Sequence, residues 1–392
     1  MVNLEQTADL LSRLRTVQSE TALCVLARSP RATCKACAQV CPANAVVLER
    51  GPHIDMQACI ACGLCTAACP TGALRLETPS PVQLVSAVRK AAEGGAPIVV
   101  CAAQAGELPA GARGRQVLVP CTGMLTAEVL AGMLAAGPDR LLIWRPAACD
   151  ACANGPAAMP LLQRAVAGVE ALYPQSIALC AEFADAPGAT GGEARGGNGL
   201  DTAIAAQDRR AFLGAALRGG GGLFKALLGD WLVPAKPEPG RRPAFDITGL
   251  PGRRQVLRSA LEARPAAPDA HLAERLARVG PDCTLCPVCS RLCPTGALEL
   301  LRLDEQTSLQ WRASRCTDCG LCRDSCPARG MKAGAPMTAL QFQSDAPEML
   351  ISGRETTCDC GRPYFQVPDG PHRCIACRMA AERALSASAG QE

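Results

Sequence analysis

Between residues 81 and 181 the apolar positions switch repeatedly between a helical spacing and short unbroken runs. The helical stretches are Val82 to Glu93, Leu125 to Ala136 and Ala157 to Leu172, and the runs are Ile98 to Cys101, Gln116 to Pro120, Leu141 to Trp144 and Ser176 to Leu179. Helices alternating with short, continuously apolar strands predict a parallel α/β sheet. On either side the pattern is weaker. Residues 21 to 78 and 281 to 334 hold only brief strand-like stretches, Ala45 to Leu48 and Ala73 to Leu76 in the first and Ala297 to Leu303 in the second. Met1 to Leu14 reads as an amphipathic helix carrying Glu5, Asp9 and Arg13.

Two stretches predict linkers: Pro187 to Gly199, rich in glycine and nearly free of bulky apolar residues, and the proline-rich Pro234 to Pro268. Between them, Ala203 to Val233 reads as an amphipathic helix, a glycine turn and a second helix around Leu223 to Trp231. Arg209, Arg210 and Phe212 there look like a twin-arginine export string, but one some two hundred residues into the chain argues against export. Docking onto a partner is the functional alternative for these helices.

Composition changes the picture. Aromatics make up only 3% of 392 residues, against 25 Cys, 37 Gly and 31 Pro, so the cysteine-rich segments are too poor in large apolar side chains to fold on core burial alone. Bound metal would supply the missing stability. A secreted disulfide scaffold is the other reading of so many cysteines, but such scaffolds are usually short. The first residues do not resemble a signal peptide, so a reducing cytoplasm is expected. Charge interrupts every apolar stretch before the ~18 residues of a membrane span, and no transmembrane segment is predicted. A net charge of +4 without a basic block interleaved with aromatics gives no support for nucleic-acid binding.

The cysteines are ordered. C-x2-C-x2-C-x3-C-P occurs intact at Cys59, Cys62, Cys65 and Cys69, at Cys283, Cys286, Cys289 and Cys293, and at Cys316, Cys319, Cys322 and Cys326. Thr-Gly-Ala-Leu follows a Cys-Pro in both units, at Thr71 and at Thr295, where a turn should give way to a strand. Soft thiolates stepped at this spacing suit cubane iron-sulfur clusters better than zinc, which favours paired knuckles. The motif resembles that of bacterial two-cluster ferredoxins, in which three cysteines hold one cluster and the fourth reaches the other.

That resemblance implies Cys283, Cys286, Cys289 and Cys326 on one [4Fe-4S] cluster and Cys316, Cys319, Cys322 and Cys293 on a second. In the first unit it implies Cys59, Cys62, Cys65 and Cys41 on a third. The fourth set would be Cys34, Cys37 and Cys69, with Arg31 standing where its first cysteine belongs. Cys24 is the expected replacement, in a string, Cys24-x3-Arg28-x5-Cys34-x2-Cys37-x3-Cys41-Pro42, that resembles a ferredoxin-like variant with an upstream first ligand. A three-iron cluster, with Cys24 merely buried, is the alternative.

In the α/β segment Cys101, Cys121, Cys149 and Cys180 fall at or just past the C-terminal ends of predicted strands, the edge where open α/β sheets bind ligands. Val99-Val100-Cys101, Val119-Pro120-Cys121-Thr122-Gly123 and Cys149-Asp150-Ala151-Cys152-Ala153-Asn154-Gly155 resemble the small delta-type iron-sulfur subunit of hydrogenase and heterodisulfide reductase complexes, over about a quarter of the chain. The resemblance implies one [2Fe-2S] cluster on Cys101, Cys121, Cys149 and Cys152, relaying electrons between a hydrogenase or dehydrogenase and a flavin-containing partner. The family usually carries a further cysteine soon after the first strand, where this chain has Ala102, Ala103 and Gln104, so Cys180 stands as a substitute. Free cysteines packed in an α/β core are the other reading.

At the C-terminus Cys358-x-Cys360 and Cys374-x2-Cys377 resemble a zinc ribbon, with a further iron-sulfur cluster or a redox-active thiol pair as alternatives. No catalytic residue is predicted: His53, His271 and His372 lie near no nucleophile motif, and the glycine pattern of a nucleotide site is missing.

The expected organisation is therefore mixed: an α/β domain at 81–183 between ferredoxin-like dicluster modules at 1–80 and 272–350, a linker with amphipathic helices at 184–271, and a zinc-ribbon-like knuckle at 351–392. The expected function is an electron-transfer subunit of an oxidoreductase complex, with four [4Fe-4S] clusters, a [2Fe-2S] cluster and a zinc ion. Its partners would be a redox enzyme such as a hydrogenase or formate dehydrogenase and a flavin- or disulfide-linked protein. An assembly or maturation factor for a metalloenzyme, with structural or regulatory clusters, is the alternative, and reduction of a disulfide substrate at the central cysteines is a third.

Overall fold

The computed structural model describes residues 17–181 and 252–388. The helix expected at Met1 to Leu14, the glycine-rich linker Pro187 to Gly199 and the helices of Ala203 to Val233 lie outside the described residues. In the first module β1 (Val17–Ser19) pairs antiparallel with β4 (Leu74–Leu76), and β2 (Val46–Leu48) forms a hairpin with β3 (Pro52–Ile54). Strands of three residues are marginal alone. Cys37, Cys65 and Cys69 supply part of the buried core instead of large side chains.

Four parallel strands follow, β5 (Ile98–Cys101), β6 (Gln116–Val119), β7 (Leu141–Trp144) and β8 (Ile177–Cys180), in the spatial order β6-β5-β7-β8. Val99, Val100, Leu141 and Ile143 are fully buried, which is why these strands read as unbroken apolar runs. The helices are Pro81–Ala92, Ala127–Ala135 and Gly155–Glu170. Ser80 and Gln83 close a reciprocal capping box on the first, with Pro81 at a position that needs no N–H donor.

The proline-rich stretch expected as linker contains instead the helix Gly252–Ala263. Its buried positions Arg254, Leu257, Ala260 and Leu261 recur at helical spacing and pack against Ala127–Ala135. A Cβ on Gly132 would press into Val256 Cγ1, so a glycine is what lets the two helices approach. Downstream, Tyr173 Oη donates to the Arg264 carbonyl at 2.6 Å and Arg264 lies over the Tyr173 ring, tying this segment to the α/β layer.

In the last region β9 (His271–Val279) pairs with β12 (Met331–Thr338), a longer version of the β1 to β4 pairing. The hairpin of β10 (Leu298–Leu303) and β11 (Gln306–Trp311) grows into a four-stranded antiparallel sheet by adding β13 (Glu348–Thr357) and β14 (Pro363–Gln366). The expected boundary between residues 350 and 351 falls inside β13, so the four-cysteine knuckle continues the sheet of the neighbouring module. No helix among the described residues is long and apolar enough to cross a membrane.

Candidate metal centres

Each cysteine motif folds into a tight loop, and the three intact copies share two unusual backbone turns, of which the altered copy keeps the second. Ala61, Leu285 and Asp318, each one residue before the second cysteine of an intact copy, adopt left-handed backbone conformations. Asn44, Gly72, Gly296 and Arg329, three residues after the last cysteine of all four copies, do the same. Non-glycine residues enter this region at a cost and persist where surrounding structure demands it. Here the turns aim backbone N–H groups at sulfur: Ala61 N to Cys59 Sγ and Leu285 N to Cys283 Sγ at 3.4 Å, Ala45 N to Cys41 Sγ and Ala297 N to Cys293 Sγ at 3.2 Å. Such donors favour the thiolate form.

The thiols gather in fours. Cys24, Cys34, Cys37 and Cys69 line one cavity. Burial pushes the Cys37 thiol up to about 11, with repulsion from Cys69, Cys34 and Cys24 adding to it. Cys41, Cys59 and Cys62 surround Cys65, whose thiol is raised first by burial and then by those three. In the last region Cys283, Cys286 and Cys326 surround Cys289, raised to about 12 by burial and then by their charge. Cys293, Cys316, Cys319 and Cys322 line a further cavity. In every group three cysteines come from one motif copy and one from its neighbour, and Cys24 enters from upstream of the altered copy. Four converging thiols, with at least one in each group raised by burial, fit a cationic iron-sulfur core, which supplies positive charge that favours their ionised form.

One buried donor fits the same chemistry. Trp311, 1% exposed, has a buried indole N–H with no nitrogen or oxygen acceptor among the described residues. It lines the cavity of Cys293, Cys316, Cys319 and Cys322. Burial raises the Cys316 thiol most, and hydrogen bonding from the Asp318 backbone and then the Trp311 side chain opposes it.

At the C-terminal edge of the parallel sheet, Cys101, Cys121, Cys149 and Cys152 line a cavity of about 50 Å³ together with Arg145. Burial pushes the Cys121 thiol up to about 11. Cys149 is raised by burial and by Cys101, and the Arg145 guanidinium opposes that rise. Cys180 does not join them. It is 2% exposed and packs with Ile98, Val100, Leu142 and Trp144 in a separate apolar cluster.

The C-terminal cysteines are spaced differently. The sulfurs of Cys358, Cys360, Cys374 and Cys377 all lie within 4.8 Å of one another. Cys358 to Cys377 is 3.9 Å and Cys360 to Cys374 is 3.6 Å. A single tetrahedral ion with bonds of about 2.3 Å requires sulfur-sulfur edges of about 3.8 Å, whereas a multi-iron core holds its ligands further apart. Backbone N–H groups of Cys360 and Cys374 draw the Cys358 thiol down to about 6. Cys377, facing the other three sulfurs, is pushed up to about 12. Arg378 anchors the site to the cluster module through the Asp282 carbonyl at 2.9 Å and its carboxylate at 3.0 Å.

Contacts join the groups. Cys37 adds to the repulsion on Cys65, and Cys62 to that on Cys121. Arg28 donates to the carbonyls of Leu292 at 2.7 Å and Arg291 at 2.9 Å, and Ser29 Oγ lies 3.0 Å from Ser325 Oγ, so the altered copy abuts the residues before Cys293 and Cys326. Arg253 donates to the carbonyls of Cys69 and, at 2.9 Å, Pro70; Arg254 donates to Cys316 O at 2.6 Å. None of these joining residues stands out in the sequence, although Val256, Leu257, Ala260 and Leu261 carry a helical period that marks the segment holding both arginines.

A family model described as a 4Fe-4S binding domain matches residues 52–75, and one described as a 4Fe-4S dicluster domain matches residues 282–330. Neither the curated proteins nor the solved structures returned a match to the chain. The chain thus carries two ferredoxin-type 4Fe-4S domains. The first match takes in Cys59 to Cys69, while the altered copy from Cys24 to Cys41 lies outside it.

Proposed function

We propose that this chain is an electron relay whose clusters run in sequence from the C-terminal dicluster module, through the N-terminal one, to the parallel sheet. The supporting observation is the continuity of the thiol groups. Ser29 meets Ser325 beside Cys326, Cys37 acts electrostatically on Cys65, and Cys62 does so on Cys121, so four of the five groups follow one another, and Cys293 shares its motif copy with Cys289. The ligands are Cys283, Cys286, Cys289 and Cys326; Cys293, Cys316, Cys319 and Cys322; Cys24, Cys34, Cys37 and Cys69; and Cys41, Cys59, Cys62 and Cys65, each set holding a [4Fe-4S] cluster. Cys101, Cys121, Cys149 and Cys152 hold a [2Fe-2S] cluster, and Cys358, Cys360, Cys374 and Cys377 a zinc ion.

When bound, iron-sulfur clusters accept and return single electrons at potentials spanning roughly −700 to +450 mV, set by hydrogen bonds, charge and solvent access. The chain's own contribution is that environment: backbone donors on sulfur, buried walls and the spacing between groups. The zinc site is closed by four protein sulfurs and serves structure. Cys152 is exposed, which suits the sheet edge as the face where a flavoprotein partner draws electrons, with a hydrogenase or dehydrogenase at another cluster.

Iron, acid-labile sulfide and zinc on anaerobically purified protein test this reading. Four cubanes and one two-iron cluster give about 18 iron atoms per chain, with one zinc. Rapid oxidation by a dye acceptor after reduction with a low-potential donor is the kinetic counterpart. Near 8 iron atoms, or clusters that exchange no electrons, would overturn the relay.

A further inference from the structure

Arg253 and Arg254 open the helix Gly252–Ala263 and reach into different modules. The Arg253 guanidinium donates to the Cys69 carbonyl and to Pro70 O at 2.9 Å, and lies 3.4 Å from Ala67 O and 3.5 Å from Thr66 O. It thereby caps the helix Leu64–Ala68 at the end where carbonyls lack partners. The Arg254 side chain has no solvent exposure; it donates to Cys316 O at 2.6 Å and Glu274 Oε1 at 2.6 Å, with the Phe342 ring 4.5 Å from its Cζ. Glu274, 20% exposed, is its hydrogen-bonded counter-charge, and the buried Glu128 lies 3.8 Å from Arg253 and also acts on Arg254.

A fully buried guanidinium loses several kcal/mol of hydration, and apolar packing of similar volume is often as stable or more so. A cap or a helix contact does not require that charge. A reducible cluster does gain from it. Each electron adds a negative charge, and a cation held behind the carbonyl of a ligand residue, shielded from salt, favours the reduced state.

We propose that Arg253 and Arg254 are positioning residues that raise the reduction potentials of the clusters beside them, Arg253 acting on the one held by Cys24, Cys34, Cys37 and Cys69 and Arg254 on the one held by Cys293, Cys316, Cys319 and Cys322. The inference rests on the cluster assignment above. One helix then sets the electron affinity on both sides of the junction between modules.

The test is a redox titration of the full-length, cluster-loaded protein followed by electron paramagnetic resonance. Arg254→Gln should lower one cluster's midpoint by a tenfold change in its one-electron equilibrium, about 59 mV, and leave the others in place. Glu274→Gln, which strips the counter-charge hydrogen-bonded to Arg254 and leaves Glu128 in place, should move the same signal upward. Arg253→Gln should lower a different signal. A merely structural contact has no reason to give opposite signs for Arg254 and Glu274. Unmoved midpoints in Arg254→Gln and Glu274→Gln at full iron content overturn this inference alone. If Arg254→Gln fails to retain iron, Glu274→Gln decides, an upward shift supporting the inference and an unmoved midpoint overturning it. A wild-type protein without cubane signals overturns the relay reading and this inference together.

Discussion

Cys62, in the second motif copy, is the thiol of the first module that bears on Cys121, at the edge of the parallel sheet, with Leu64, Ala158 and Leu161 completing the contact. Gly123 sits in the same seam, where a Cβ would come 2.6 Å from Ala158 and 2.8 Å from Leu64 Cδ2. Two clusters held across this seam will sense each other's unpaired spins. The reduced protein should show a split or broadened resonance that vanishes in Cys121→Ser, while iron falls by about two atoms per chain.

Cys24 and Cys180 are both outside the regular motif spacing, and they should behave oppositely. Cys24→Ala leaves three thiols in its cavity, so iron content should drop by one to four atoms, with a three-iron signal in the oxidised protein if one atom is lost. Cys180→Ala, whose sulfur packs among Ile98, Val100, Leu142 and Trp144, should keep all its iron.

Gly132→Ala sets helix propensity against packing. Alanine favours the helix by about 1 kcal/mol, but its methyl would meet Val256, a stiff β-branched side chain on the opposing helix. Overpacking of this kind costs about 1 to 3 kcal/mol, so a net loss is expected in chemical denaturation. Adding Val256→Ala should recover most of it.

Glu128 is buried, which alone would raise its pKa, yet Arg253, Arg254 and the Thr126 hydroxyl hold its carboxyl below the usual carboxylate range. A folded-state pKa below the unfolded value adds stability above the ordinary carboxylate pKa, which is lost as pH falls through the depressed one. Melting temperature should therefore decline on acidification below about pH 5, and the decline should be shallower in Glu128→Gln. At neutral pH that variant leaves Arg253 without its partner 3.8 Å away and should lose about 3 kcal/mol.

The parallel sheet was legible because strands buried on both faces carry unbroken apolar runs; Ile98–Cys101 and Leu141–Trp144 have the bounds their sequence predicts. The dicluster loops were legible for a different reason, since cysteine spacing is itself the geometry. The helix Gly252–Ala263 was hidden by prolines on both sides and by arginine on its buried face, a residue that normally marks solvent. The pairing of β1 with β4 was hidden because three residues carry no period. What lies between modules, Arg28 with Leu292 or Ser29 with Ser325, joins positions more than 260 apart in the chain, and no local pattern records such a contact.

The turn between β13 and β14 gathers Cys358 and Cys360 from one side, and Cys374 and Cys377 follow just after β14. β14 is the outermost strand of its sheet, and it begins at Pro363, which has no N–H to offer a further strand. Should the sulfurs lose their grip, β14 would peel away and bare Arg354 to Thr357 of β13, lengthening its open edge, the kind of surface along which chains polymerise. An ion held at this corner would then guard against aggregation: Cys358→Ser should leave the iron count intact and still turn the protein into a slow precipitant, visible as rising light scattering.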